Sequence, residues 1–216
     1  MRWSKLRRSP RAAAPARAVI ANLRDSTSTD SATGAVRSVQ TADLRMDEAA
    51  LKEIWSPLHL ERLARTYWRF LSRVTLGLIR VRYSEHERFV VLLFRPLKLL
   101  TFQAPEYELT ATRGLVRWRI ERGLLVARRG RDGGGYLQIE VRRSPARDSP
   151  GREDTAAVAL HVEVEVANFY PAIASRLGLG LYNATQSRIH VIITHSFLRS
   201  LARLDLAESR VGRFDP

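Results

Sequence analysis

The stretch AAVALHVEVEVANF, residues 156–169, decides how this chain is read. Val158, Leu160, Val162, Val164 and Val166 alternate with His161, Glu163 and Glu165. Successive side chains of a strand point to opposite faces, so this is a strand with one apolar and one polar side. The pattern repeats upstream. In 136–143, Leu137, Ile139 and Val141 oppose Gln138, Glu140 and Arg142; in 115–121, Val116, Trp118 and Ile120 oppose Arg117, Arg119 and Glu121.

Further short runs of period two occupy 78–83, 88–94, 97–103, 107–113 and 124–129. Polar, Pro or Gly breaks separate them: Ser84–Glu87, Arg95-Pro96, Pro105, Gly114 and Gly123. Connections this short leave no room for parallel crossovers. The expectation is an antiparallel meander of about seven strands with one apolar face, which something must cover.

Helices at the two ends supply the cover. DEAALKEIW (47–55) reads as a short helix. SPLHLERLARTYWRFLSRVTL (56–76) then opens with Ser56 as N-cap and Pro57 at the first helical position. Leu60, Leu63, Ala64, Tyr67, Phe70, Leu71 and Val74 follow with helical spacing. After the last strand, residues 183–204 carry a long amphipathic helix. The fold class is therefore α+β: the meander packed on a long C-terminal helix, with two helices before it.

Residues 1–42 are rich in Arg, Ala, Ser, Thr and Pro, and RDSTSTDSATGA (24–35) is polar and low in complexity. Such a segment buries too little to offset its ordering entropy, so 1–42 is expected to be a disordered basic tail. A single domain over 43–206 and a short tail over 207–216 complete the division.

The formal net charge is +14, from 36 basic and 22 acidic residues, and only three of the basic ones are lysine. The excess is spread along the chain, a diffuse field that draws polyanions and anionic lipid without specificity. No usual nucleic-acid motif is present, so nucleic acid ranks as the lesser partner. No cysteine occurs, which removes disulfides, thiolate metal sites and a cysteine nucleophile. No apolar run reaches the ~18–20 residues of a membrane span, and the N-terminal apolar segment is interrupted by Arg11, Pro15 and Arg17. A cytoplasmic protein is expected.

Candidate sites are few. On a wheel of ~100° per residue, His190 falls within the C-terminal stripe of Ile189, Ile193 and Phe197. His195 lies on the opposite side, with Arg188, Arg199 and Arg203. The two histidines cannot chelate one metal, which needs i,i+3 or i,i+4 spacing. His161 shares a strand face with Glu163 and Glu165, most simply a solvated mixed-charge face. No metal, cofactor or catalytic residue is assigned.

The order of elements is similar to that of the helix-grip, or START-like (polyketide cyclase and lipid-transport), superfamily, over about residues 45–204. That family begins with a strand, for which only GAVRSVQ (34–40) is available, and it has a strand or two fewer. The resemblance implies a curved sheet wrapped on the C-terminal helix around an apolar cavity. Its liners would be Trp118, Ile120, Leu137, Ile139, Leu160 and Val162 of the sheet, with Ile189, His190, Ile193 and Phe197 of the helix.

Three functional readings follow. The first is non-catalytic binding of a hydrophobic small molecule or lipid in a sheet–helix cavity of at least ~300 Å³. The second is docking of an arginine face (Arg188, His195, Arg199, Arg203) on an anionic membrane surface or nucleic acid. The third is an enzyme with His190 or His161 as its acid or base.

Overall fold

A computed structural model describes residues 18–74, 79–83, 87–92, 98–123, 126, 134–145, 157–169 and 197–198. The strands are β1 (Val19–Thr29), β2 (Val36–Asp47), β3 (Ile79–Tyr83), β4 (Glu87–Leu92), β5 (Lys98–Gln103), β6 (Glu106–Leu109), β7 (Arg113–Arg122), β8 (Tyr136–Pro145) and β9 (Ala157–Phe169). Helices α1 (Glu48–Ile54) and α2 (Pro57–Val74) lie between β2 and β3. The class is α+β, and all the described strand pairs are antiparallel.

The strands run β1-β2-β9-β8-β7-β5-β4-β3, with β6 also paired to β7. Strands β3 to β9 make the expected meander. Pro105 between β5 and β6 interrupts what would otherwise be one strand alongside β7, because proline brings no N–H to a ladder. Of the run expected at 124–129, only Val126 falls among the described residues.

Over residues 18–42 the structure corrects the expectation of a disordered tail, while 1–17 lie outside the described residues. Residues 19–47 form a hairpin whose second strand pairs along β9, from Ser38 opposite Val166 to Asp47 opposite Ala157. The polar run that suggested disorder contains the hairpin's turn. Asp30 Oδ1 accepts from the amides of Ala32 and Thr33 at 2.8 and 3.0 Å, and Gly34 takes φ 70° to close it. The period was hidden because β2 faces the interior with Val36, Ser38, Gln40, Ala42, Leu44 and Met46, half of them small or polar.

Because β2 lies beside β9 and β3 is the far edge, α1 and α2 must travel across the sheet between them. Asp47 caps α1 by accepting from Ala50 N at 3.0 Å. Ser56 caps α2: its carbonyl accepts from Leu60 N at 3.0 Å. One stripe of α2, with Leu60, Leu63, Ala64, Tyr67 and Trp68, is buried on the apolar face. Trp68 meets Trp118 of β7 and Phe102 of β5 with ring centroids 5.1 and 5.3 Å apart. Of the expected C-terminal helix, Phe197 and Leu198 are described; both are helical and fully buried, and Phe197 stands edge-on to Tyr67 at 5.5 Å.

Candidate functional site

Among the described residues, the inner face along β7 is filled at Trp118 and open at Gly114. Along β7, the inward positions are Gly114, Val116, Trp118 and Ile120. Trp118 closes its end of the interface against Trp68, with no exposed surface. At Gly114 there is no side chain. Its row across the sheet is Ala42, Val162 and Val141, all small. The turn between α1 and α2 bridges this row and leaves a pocket of about 90 Å³ with almost wholly apolar walls.

Leu44, Met46, Leu51, Leu60, Leu63, Val141, Leu160 and Val162 make the body of the pocket. Ten of its fifteen lining residues are buried; the five partly exposed ones are Ile54, Trp55, Ser56, His59 and Leu109. Those five place the mouth at the α1–α2 turn and the end of β6. Trp55 is fixed there by its indole Nε1, which donates to Thr110 O at 2.8 Å.

The polar corner is a linked pair. Ser56 Oγ lies 2.8 Å from His59 Nδ1, and Arg62 Nη1 lies 3.4 Å from His59 Nε2. A guanidinium only donates, so Nε2 is the acceptor and Nδ1 carries the ring proton, which it donates to Ser56 Oγ. Burial, and next the charge of Arg62, hold His59 below the ordinary 6.5, so it stays neutral. The imidazole therefore gives a proton to the serine rather than taking one. Ser56 is not activated as a nucleophile by this geometry, and its own hydroxyl hydrogen remains available to a ligand.

The residues expected to line a cavity separate. Leu160 and Val162 line this pocket, whereas Trp118, Ile120, Leu137 and Ile139 lie in the packed core outside it. Phe197 is likewise in the core. Ile189, His190 and Ile193 lie outside the described residues, as do Arg188, His195, Arg199 and Arg203 of the expected anion-binding face. Sequence reasoning used Ser56 only as a cap and Gly114 only as a strand break, and did not single out His59. The signal for the pocket was the glycine, on a face where its neighbours carry bulky groups.

His161 points away from all this, since Leu160 and Val162 on either side of it face the pocket. On the outer face its Nδ1 lies 2.7 Å from Asp43 Oδ1, while Asn22 donates to Asp43 Oδ2 at 2.9 Å. Burial pushes the Asp43 carboxyl up, but the bonds from His161 and Asn22 outweigh it and leave it low. The same face buries Glu140 between Arg113 and Arg142, each at 2.6 Å. Among the described residues, no group of three or more acidic or histidine side chains could hold a metal. No described helix is long and apolar enough to cross a membrane.

No protein-family model matches the chain, and no curated protein matches it. Among solved structures, it is similar in outline to norcoclaurine synthase of Thalictrum flavum in complex with dopamine and hydroxybenzaldehyde. That match has 9% identity and a TM-score of 0.30, covering 81% of this chain and 91% of that one. A point mutant of the same enzyme with a transition-state analogue gives 12% identity and a TM-score of 0.27, covering 77% and 98%. At those scores the likeness assigns neither a family nor a ligand.

Proposed function

We propose that this protein binds the apolar part of a small molecule in the pocket beneath the α1–α2 turn, without chemistry of its own. One observation carries the reading: an apolar vacancy of about 90 Å³ between α2 and the sheet, with a polar corner at its mouth. Protein interiors are close-packed and hold few voids of this kind. The volume is well below the ~300 Å³ of a drug-sized site and below the ~150 Å³ of an engineered cavity that admits benzene. The occupant is therefore a short chain, or the end of a longer molecule whose remainder emerges at the mouth. Catalysis is the lesser reading, because the Ser56–His59 pair is oriented against proton abstraction and His161 is on the far face.

The test is a methyl-resolved NMR titration of the full chain with a panel of small apolar compounds. Shifts confined to Leu51, Leu60 and Val141, with Val116 and Ile139 unmoved, are the expected result. A ligand of seven or eight heavy atoms reaches a Kd of about 0.1–1 mM. If no compound moves the lining methyls, or if the whole core moves together, the reading is wrong.

A further inference from the structure

We infer that the occupant is a small carboxylic acid, its apolar chain between α2 and the sheet and its carboxylate at the mouth beside Ser56 and Arg143. This rests on the proposed binding role and goes on to name the ligand's class. The pocket is partly open, and its exposed lining residues put the opening at the α1–α2 turn, so a bound chain presents its other end there. What meets that end is a set of donors.

Ser56 Oγ receives the His59 Nδ1 proton at 2.8 Å and lies 3.4 Å from the His59 amide. Its own hydrogen is thereby directed to a third group. Arg143 is the next inward position on β8 after Val141 and stands opposite Leu160 of β9, and both of those residues line the pocket. Its guanidinium lies 6.0 Å from the centroid of the Trp55 ring, which forms part of the mouth. The only acid bonded to it among the described residues is Glu48, at 3.4 Å, and Glu48 is also shared with Lys52 at 3.5 Å. Among the described residues, two cations thus share this one carboxylate.

An apolar chain and a carboxylate satisfy both halves of such a site. A cation or a pure donor satisfies neither Ser56 nor Arg143, while a neutral amide of the same shape uses the hydroxyl but not the charge. Charge-assisted hydrogen bonds are the stronger kind, so the acid should be preferred.

Hexanoate and its neutral counterpart hexanamide are the probes, titrated at pH 7 and low salt while the lining methyls are followed. Hexanoate should bind about tenfold more tightly than hexanamide. Arg143→Gln should bring the two within about twofold by weakening hexanoate alone, and Ser56→Ala should weaken both. If hexanamide binds the unaltered protein as tightly as hexanoate does, the carboxylate assignment is overturned, although the pocket reading stands. If neither probe moves the lining methyls, the carboxylate assignment falls, and the pocket reading falls with it only when no other compound of the apolar panel moves them. The comparison within the unaltered protein needs no variant to fold.

Discussion

Four residues of one strand separate the two ends of the helix–sheet interface. At Trp118 the sheet presents its largest side chain, and α2 answers with Trp68 at 5.1 Å. At Gly114 it presents none, and the chain passes from α1 to α2 above a vacancy. Both positions lie on β7 and face inward beside β8, in the same antiparallel pairing. What differs is side-chain volume by position. A pocket in this protein is thus a local subtraction from a core rather than a feature of its architecture, and the two ends should respond to substitution in opposite ways.

The largest effect is expected at the filled end. Trp118→Ala leaves a cavity that the neighbouring strands cannot close and should cost about 3–5 kcal/mol in urea unfolding. Trp118→Phe should cost distinctly less. Among the described residues the buried Trp118 indole Nε1 has no hydrogen-bond partner, so its removal there sacrifices no bond and relieves an unsatisfied donor. Both variants remove the N–H, so equal losses would mean that ring volume does not set the cost, and the contrast based on volume would fail at this end.

The outer face gives a reference in which charge, not volume, sets the cost. Glu140 is held low: burial pushes its carboxyl up, but bonds from Arg113 and Arg142 prevail. Glu140→Ala leaves two arginines without their shared partner. Both arginines are partly exposed, so the loss should be about 1–3 kcal/mol, less than for a fully buried pair. A carboxyl lowered on folding contributes stability above its ordinary 4.5, and that contribution is lost as pH falls below it. The variant should accordingly lose less stability than the parent between pH 5 and 3.

Much of the fold was legible because the apolar alternation of β7, β8 and β9 survives in the letters, as does the Ser-Pro start of α2. The hairpin of β1 and β2 was not. Its inward residues Ser38 and Gln40 are polar yet buried, and Thr27 bonds Ser38 across the strands at 2.9 Å. Hydroxyl pairing replaces apolar contact there, and composition alone reads it as a tail. The pocket escaped for another reason. Trp118 and Ile120 share a face with Gly114, and periodicity reports the face of a residue but not how much space its neighbour leaves. Only the path of the α1–α2 turn shows which end of that face is covered by a helix and which by a gap.

At the vacant end, pH offers a smaller but more specific handle. His59 is held below 6.5 by burial and by Arg62. The unfolded chain then binds more protons than the native one over the interval beneath 6.5, so stability rises with pH there. The contribution is complete above 6.5 and is lost as the solution is made more acidic. Melting temperature measured from pH 7.5 to 5 should fall more steeply for the parent than for His59→Gln. Parallel curves would show that the histidine is solvated and that the Ser56–His59 corner is not held as described.

Gly114→Ala should have the smallest effect on stability and the clearest effect on binding. A Cβ at this position would lie 3.4 Å from Leu109 Cδ1, 3.6 Å from Leu60 Cδ1 and 3.9 Å from Trp55 Cη2, all ordinary contacts, and no positive φ opposes it. The added methyl enters space that the filled end does not possess. It also restricts the unfolded chain, which favours the native state, and glycine is a poor strand residue. The expected change is a gain of up to about 1 kcal/mol, with hexanoate affinity reduced severalfold. A destabilisation of 1 kcal/mol or more would mean that the gap is already packed in solution, and the contrast between the two ends of β7 would disappear. A gain in stability together with a loss of binding would tie the vacancy to the ligand, because the same methyl cannot improve packing and obstruct an occupant unless it enters the occupant's space.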